Sequence, residues 1–271
     1  SLSPSGTINV VYGSTINPVE LSSSSYDGAI GFTIVGKDNS NLNYVAGNGD
    51  LNGDNTNDIL LLAPSLSEAY MLFGTSSFPA SVSITDYVFD GTNGFRITGV
   101  DDSIIPTYTN YYNAYPTMAQ IIGDINGDNR DDMVFAFREE RKAIVVYGRD
   151  SYPGTIDITS LTADEGFTIN GSSSGNFGVP GRIGDVNGDN IEDILLTTDI
   201  GQAYVVFCKS ENFAGDIDVD DFDRSDGYVI GGLNGLVSTS KVSGDIDNDG
   251  IKDVLLGFYE LDSETGGVYV N

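Results

Sequence analysis

The chain has 271 residues and carries 40 Asp and Glu against 12 Lys and Arg, a formal charge of -28 that repels nucleic acid and anionic lipid and favours cations. It contains no His and a single Cys. That excludes Ser-His-Asp and Cys-His nucleophile systems, His-ligated zinc and an internal disulfide framework.

Short runs of Val, Ile, Tyr and Phe alternate with Gly, Asn, Asp and Ser clusters from end to end, which predicts an all-β protein read as one domain, 1–271. No apolar run approaches the roughly 18 residues of a membrane helix, so no membrane insertion is expected. The opening "SLSPSG" has no initiator Met and no apolar signal core, and reads as a mature or excised piece.

In chain order, the first predicted strands are "INVVYG" (Ile8 to Gly13) and "GFTIVG", separated by the Ser-rich "LSSSSYDG". An acidic loop, "DLNGDNTND" from Asp50, then leads into "DILLLA", "AYMLFG", a spacer "SFPASVSITD" and "GFRITG". The same order returns from Asp124 ("DINGDNRDD"), from Asp185 ("DVNGDNIED") and from Asp245 ("DIDNDGIKD"), at spacings of 74, 61 and 60 residues. These define repeats of roughly 1–43 (partial), 44–117, 118–179, 180–239 and 240–271 (partial). Four strands per unit with turn signals between them match the blade of a β-propeller, most simply four blades of four antiparallel strands. An open solenoid is the structural alternative.

Positions 1, 3, 5 and 9 of each loop carry side-chain oxygens. They are Asp50, Asn52, Asp54 and Asp58; Asp124, Asn126, Asp128 and Asp132; Asp185, Asn187, Asp189 and Asp193; and Asp245, Asp247, Asp249 and Asp253. Oxygen-only sets with three or four carboxylates suit a hard cation, and Ca2+ tolerates their irregular coordination better than Mg2+. Position 7 (Thr56, Arg130, Ile191, Ile251) follows no side-chain rule, as expected where only a backbone carbonyl is a ligand. Position 6 (Asn55, Asn129, Asn190, Gly250) is the bend, and position 8, Asp131 included, reads as a bystander.

A single Asp/Asn/Gly cluster is equally a plain β-turn. Four in register are not, because carboxylates about 4 Å apart repel by roughly 4 kcal/mol per pair at an effective dielectric near 20. Position 12 is Leu61, Phe135, Leu196 or Leu256 in place of the Glu of an EF-hand, so that reading fails. Glycosidase chemistry needs one facing carboxylate pair, which loops dispersed round a ring do not supply, and no catalytic residue is assigned.

Across nearly the whole chain the sequence resembles the FG-GAP repeats of integrin α-subunit propellers. The carriers are the four D-x-[ND]-x-D-x-x-x-D loops, Phe177-Gly178 ahead of the third and Ala63-Pro64 after the first. "VFAFRE", "LLTTDI" and "LLGFYE" depart from the Gly-Ala-Pro ending. The resemblance implies an FG-GAP-type propeller with a calcium loop between the first and second strand of each blade. About four Ca2+ ions bound at 0.1 to 1 mM, an extracellular or cell-surface location and a non-enzymatic structural or adhesion role are therefore expected.

The third-type strand occurs five times, once more than the loops. Either the surplus copy is an edge strand, or the chain belongs to a longer propeller, or the strand pairs with a neighbouring copy and builds a filament. Ring closure is expected through "GFTIVG" acting as fourth strand of the last unit. Tyr108, Tyr111, Tyr112 and Tyr115 lie on an insertion that is either packed on its own blade or a surface for protein partners or glycans, the alternative being a carbohydrate-binding or carbohydrate-active propeller. Asn170-Gly171-Ser172 is a glycosylation sequon, and Cys208, standing where sister strands have Gly, is expected to be a small buried residue.

Overall fold

The structure, a computed structural model, describes residues 5–13, 28–42, 44–100, 119–232, 236–239, 244–259 and 266–270. Among them the chain is all-β, with only short 3-10 turns besides strands, and no helix is long and apolar enough to cross a membrane.

The first complete unit runs β3 (Tyr44–Gly49), β4 (Asp58–Ala63), β5 (Glu68–Leu72) and β7 (Gly94–Thr98), an antiparallel meander with the acidic loop between β3 and β4. The second repeats it with β8 (Ala119–Gly123), β9 (Asp132–Phe137), β10 (Lys142–Val146) and β12 (Gly166–Asn170). The third uses β13 (Phe177–Gly184), β14 (Asp193–Thr198), β15 (Ala203–Val206) and β17 (Gly227–Ile230). The first strand is irregular in all three, with register shifts at Val45/Gly47, Ile121/Gly123 and Arg182/Gly184. Partial sheets flank them: β1 (Thr7–Val11) with β2 (Gly31–Val35), and β18 (Leu236–Thr239), β19 (Leu255–Tyr259) and β20 (Gly266–Val270).

The spacers hold a strand beyond the four that the repeat pattern predicts. Between third and fourth strands lie β6 (Ser81–Ser83), β11 (Thr155–Asp157) and β16 (Ile217–Asp218), and each reaches back to pair in parallel with the fourth strand of the preceding sheet. The pairs are Ile34 with Val82, Ile97 with Ile156 and Ile169 with Ile217, a β-branched match at each step. Covering the edge this way removes a free row of backbone groups and links neighbouring units.

The second strand of each unit reads as an unbroken apolar run because both of its faces are buried. Leu61 and Ala63 pack with Phe32 and Ile34 from the amino-terminal sheet and with Leu42 from the segment after it, while Leu60 and Leu62 join Val134, Ala136, Leu196 and others in a core spanning units one to three. Leu195, Ala203 and Val205 close on Leu256 of the last sheet and on Val254 just before it. The sheets are thus stacked in chain order.

None of the five sheets is closed on itself among the described residues. The expected closure through "GFTIVG" is not made: β2 carries β1 on one edge and β6 on the other. The reason is local. Val10 faces Phe32 in the register that Met71 holds with Phe95, Val145 with Phe167 and Val205 with Tyr228, so the surplus third-type strand is the natural hairpin partner of β2.

Ile156, 5 % exposed in β11, anchors unit two to unit one. Ile156→Ala is expected to lower unfolding stability by about 2–4 kcal/mol in urea titrations, as for other buried Ile truncations, and an unchanged midpoint would contradict the linking role.

Candidate metal centre

The first three acidic loops leave the end of a first strand, and all four fold their backbone round their own first aspartate. Asp50 Oδ1 accepts the N–H of Gly53 (2.8 Å) and Asp54 (3.1 Å), and Oδ2 accepts that of Asn55 (2.7 Å). Asp124 does the same with Gly127, Asp128 and Asn129, and Asp185 with Gly188, Asp189 and Asn190. In the fourth loop Asp245 accepts from Asp249 and Gly250. Position 3 then accepts from the N–H of position 5, and position 5 from that of position 7, as in Asn187 to Asp189 (2.9 Å) and Asp189 to Ile191 (2.9 Å).

This curl needs left-handed backbone at two places. Position 6 is one, as expected: Asn55, Asn129 and Asn190 have φ of 64, 66 and 70°, and Gly250 has 96°. Position 4 is the other, with Gly53, Gly127 and Gly188 at 74, 77 and 83° and Asn248 at 64°. The fourth loop interchanges Asn and Gly between the two positions, and both residues tolerate the conformation.

Position 9 closes each loop from below. Asp58, Asp132 and Asp193 are fully buried. Their Oδ2 atoms accept the N–H of position 2 (Leu51, Ile125, Val186) at 2.8 to 2.9 Å. Their Oδ1 atoms accept the N–H of Gly74, Gly148 and Cys208, the residue just past each third strand, at 2.7 to 2.9 Å. Cys208, 2 % exposed, is buried as expected, and burial pushes its thiol well above the ordinary range. In the fourth loop Asp253 Oδ2 accepts from Ile246 N–H.

Burial pushes the carboxyls of Asp58 and Asp193 up to about 7 against the pull of their backbone hydrogen bonds, with Asp54 and Asp50, or Asp189 and Asp185, adding repulsion. Asp132 is raised well above the carboxylate range for the same reasons. A cation among these oxygens would favour the charged forms. The donor set fits a hard divalent ion: Asp245, Asp247 and Asp253 of the fourth loop bring carboxylate oxygens within 4.8 Å of one another. Asn52, Asn126 and Asn187 replace one carboxylate in the other three loops.

Positions 7 and 8 carry contacts between loops. The side chain at position 7 reaches the position-4 glycine of the preceding loop. A Cβ on Gly53 would lie 3.3 Å from Arg130 Nε, one on Gly127 3.1 Å from Ile191 Cδ1, and one on Gly188 3.7 Å from Ile251 Cδ1. Arg130 also pairs with Asp150 and lies 3.6 Å from Asp128 Oδ2. Position 8 is not a bystander. Its N–H donates to the position-1 carbonyl one loop back: Asp131 to Asp50 (2.8 Å), Glu192 to Asp124 (3.3 Å) and Lys252 to Asp185 (3.0 Å). Asp131 Oδ2 further accepts the N–H of Asp50 at 2.8 Å. Only the glycine at position 4 hinted at this in the sequence.

Asn170 ends β12, half-buried and paired with Lys142 and Asp218 across the sheet. Tyr108, Tyr111, Tyr112 and Tyr115 lie outside the described residues. No protein-family model matches the chain, and no curated protein matches it.

The raised carboxyls bind protons in the folded chain that the unfolded chain has released, so without a cation their contribution is greatest below about pH 4 and is lost as pH rises through about 7. In excess chelator the melting temperature is expected to fall across that window, and millimolar Ca2+ to flatten the fall; a chelator profile that rises with pH would contradict the burial. Gly127→Ala is expected to lower stability by about 1–2 kcal/mol through its positive φ and the Ile191 contact. Ile191→Ala on that background should return part of the loss in the same denaturant titration.

Proposed function

We propose that the chain is a non-enzymatic, extracellular calcium-binding module of structural or adhesive character, arranged as an FG-GAP-type β-propeller, or part of one, with one ion per acidic loop. The observation that carries this reading is that all four loops curl round their first aspartate in the same way while position 8 differs in every loop and positions 2 and 7 vary. Asp50, Asn52, Asp54 and Asp58, with the carbonyl of Thr56, would hold the first ion. The sets around Asp124, Asp185 and Asp245 would hold the others, with the carbonyls of Arg130, Ile191 and Ile251. A bound ion would supply positive charge to oxygens that burial and mutual repulsion otherwise leave at a cost.

Within this reading the chain's own groups fix the sites in advance. Position 1 organises the loop backbone, position 9 anchors it to the third strand, and position 8 fastens it to the preceding loop. Copies would join through terminal strands, supported by β1 and β20 both being edge strands of third type in separate sheets. A head-to-tail contact of that kind need not close and would extend as a filament.

Thermal melting against free Ca2+ tests the reading. The midpoint is expected to rise with concentration, each site adding about 2.7 kcal/mol at a hundredfold excess over its dissociation constant, with Mg2+ much weaker. No shift, or an equal one with Mg2+, would sink the calcium assignment. Assembly unchanged on sizing after removal of residues 1–13 would sink the strand-linked filament.

A further inference from the structure

The stack of sheets has two unfinished ends, and each lacks what the other holds. At one end β18, β19 and β20 are first, second and third strands without a fourth; at the other β1 and β2 are a third and a fourth, with β6 beyond them, without a first or second. The amino-terminal sheet packs on unit one and the last sheet on unit three, and no strand pairing joins the two among the described residues. Register makes them halves of one unit. Met71 stands between Leu60 of the second strand and Phe95 of the fourth, and Val145 and Val205 hold the same place in units two and three. In β20 Val270 stands opposite Leu255, the counterpart of Leu60, and has no fourth strand on its other side. Phe32 of β2 is the counterpart of Phe95, and Val10 of β1 stands opposite it. That incumbent strand is poorly covered: Val11 is 42 % exposed, where Leu72, Val146 and Val206 at the same place in the other third strands are 0 % exposed.

The loops are unfinished at the same two ends. The position-1 carbonyls of Asp50, Asp124 and Asp185 each accept the position-8 N–H of the next loop, but no loop follows Asp245 and none precedes Asn57. Position 2 is 0 % exposed at Leu51 and Ile125, whereas Ile246 is 57 % exposed. The next unit covers Leu51: Arg149 N–H donates to its carbonyl at 3.0 Å and the Tyr152 hydroxyl at 3.4 Å. Tyr152 in turn stacks on Phe95 at a centroid distance of 4.2 Å, and Phe78, its counterpart in unit one, stacks on Phe32 at 4.3 Å. Unit one therefore already stands against β2 as unit two stands against β7. A last sheet seated on β2 would bring Ile246 under Phe78 and Thr75, the counterparts of Tyr152 and Arg149, and the Asp245 carbonyl to the Asn57 N–H.

We infer that copies of this chain join head to tail by strand exchange: β20 of one copy displaces β1 from β2 of the next, and the fourth loop of the first copy docks on the first loop of the second. The exchange rests on the reading that copies join through terminal strands, and adds which strand gives way and which loops meet. One seating satisfies both ends. It gives β20 the fourth strand it lacks, covers the exposed Ile246, and continues the loop-to-loop hydrogen bonds from one copy into the next. The partner is a second copy because the chain's own two halves lie at opposite ends of its stack, and a contact between unlike ends repeats from copy to copy. The displaced β1 is a competitor for the same edge, so its presence holds assembly in check.

Sedimentation velocity over a concentration series tests the exchange. The chain without residues 1–13 is expected to self-associate about tenfold or more tightly than the full chain, because its β2 edge is open. A peptide of residues 5–13 in excess should refill that edge and reverse the gain. Ile246→Ser in the full chain, at an exposed position where folding is not at stake, should weaken association about tenfold, and it carries the test should the shortened chain fail to fold. Association lost on removing residues 1–13 would make β1 the linking strand, overturning the exchange while leaving the terminal-strand reading in place. Association unmoved by the peptide, or by Ile246→Ser, would overturn the exchange as well. Chains that stay monomeric in every form would overturn both.

Discussion

Asp58, Asp132 and Asp193 each hold a carboxylate in the dry interior by giving both oxygens to backbone N–H groups, one from the acidic loop and one from the end of the third strand. The rest of each unit depends on that double acceptance. It pins the loop between first and second strands to the far side of the sheet, so the meander is braced at the point where its strands would otherwise splay. Charge in such a place is disfavoured, which is why the carboxyls lie far above their ordinary range. The same anchor therefore gives the loop its fixed geometry and gives a cation its thermodynamic opening.

Successive units are joined at two levels. Near the loops, the position-8 N–H reaches the carbonyl of the previous Asp at position 1, and the position-7 side chain lies on the previous glycine at position 4. At the opposite edge, β6, β11 and β16 each add a parallel strand to the sheet before. Between them lies a core buried on both faces of the second strands. A unit alone could bury neither face, so the array is stable as a stack in the manner of repeat folds.

Much of this was legible in the sequence, for physical reasons. The meander strands, the placement of the loops between first and second strands, the bend at Asn55, Asn129, Asn190 and Gly250 and the burial of Cys208 follow from alternation, repeat spacing and residue types that tolerate positive φ. The parallel strands are not legible although "SVSI" and "TIDI" alternate, because two or three residues in a Gly- or Pro-bordered spacer look like a turn. Position 8 escaped because its link is made by a backbone N–H, which any residue supplies, so Asp131, Glu192 and Lys252 leave no compositional trace. That β1 and β2 are third and fourth strands of one unit is legible in their motifs, but which of the two third-type strands, β1 or β20, holds β2 is not, since both carry equivalent sequences.

The central claim is that four loops of one geometry are four ion sites of one kind. Counting bound calcium by equilibrium dialysis against a chelator-buffered series tests it most directly. About four ions per chain are expected at about 10 mM free Ca2+, about ten or more times the expected dissociation constants, with one lost when Asp124 is changed to Ala and the second loop is thereby undone. Fewer than one ion per chain, or a count unchanged in Asp124→Ala, would contradict the account.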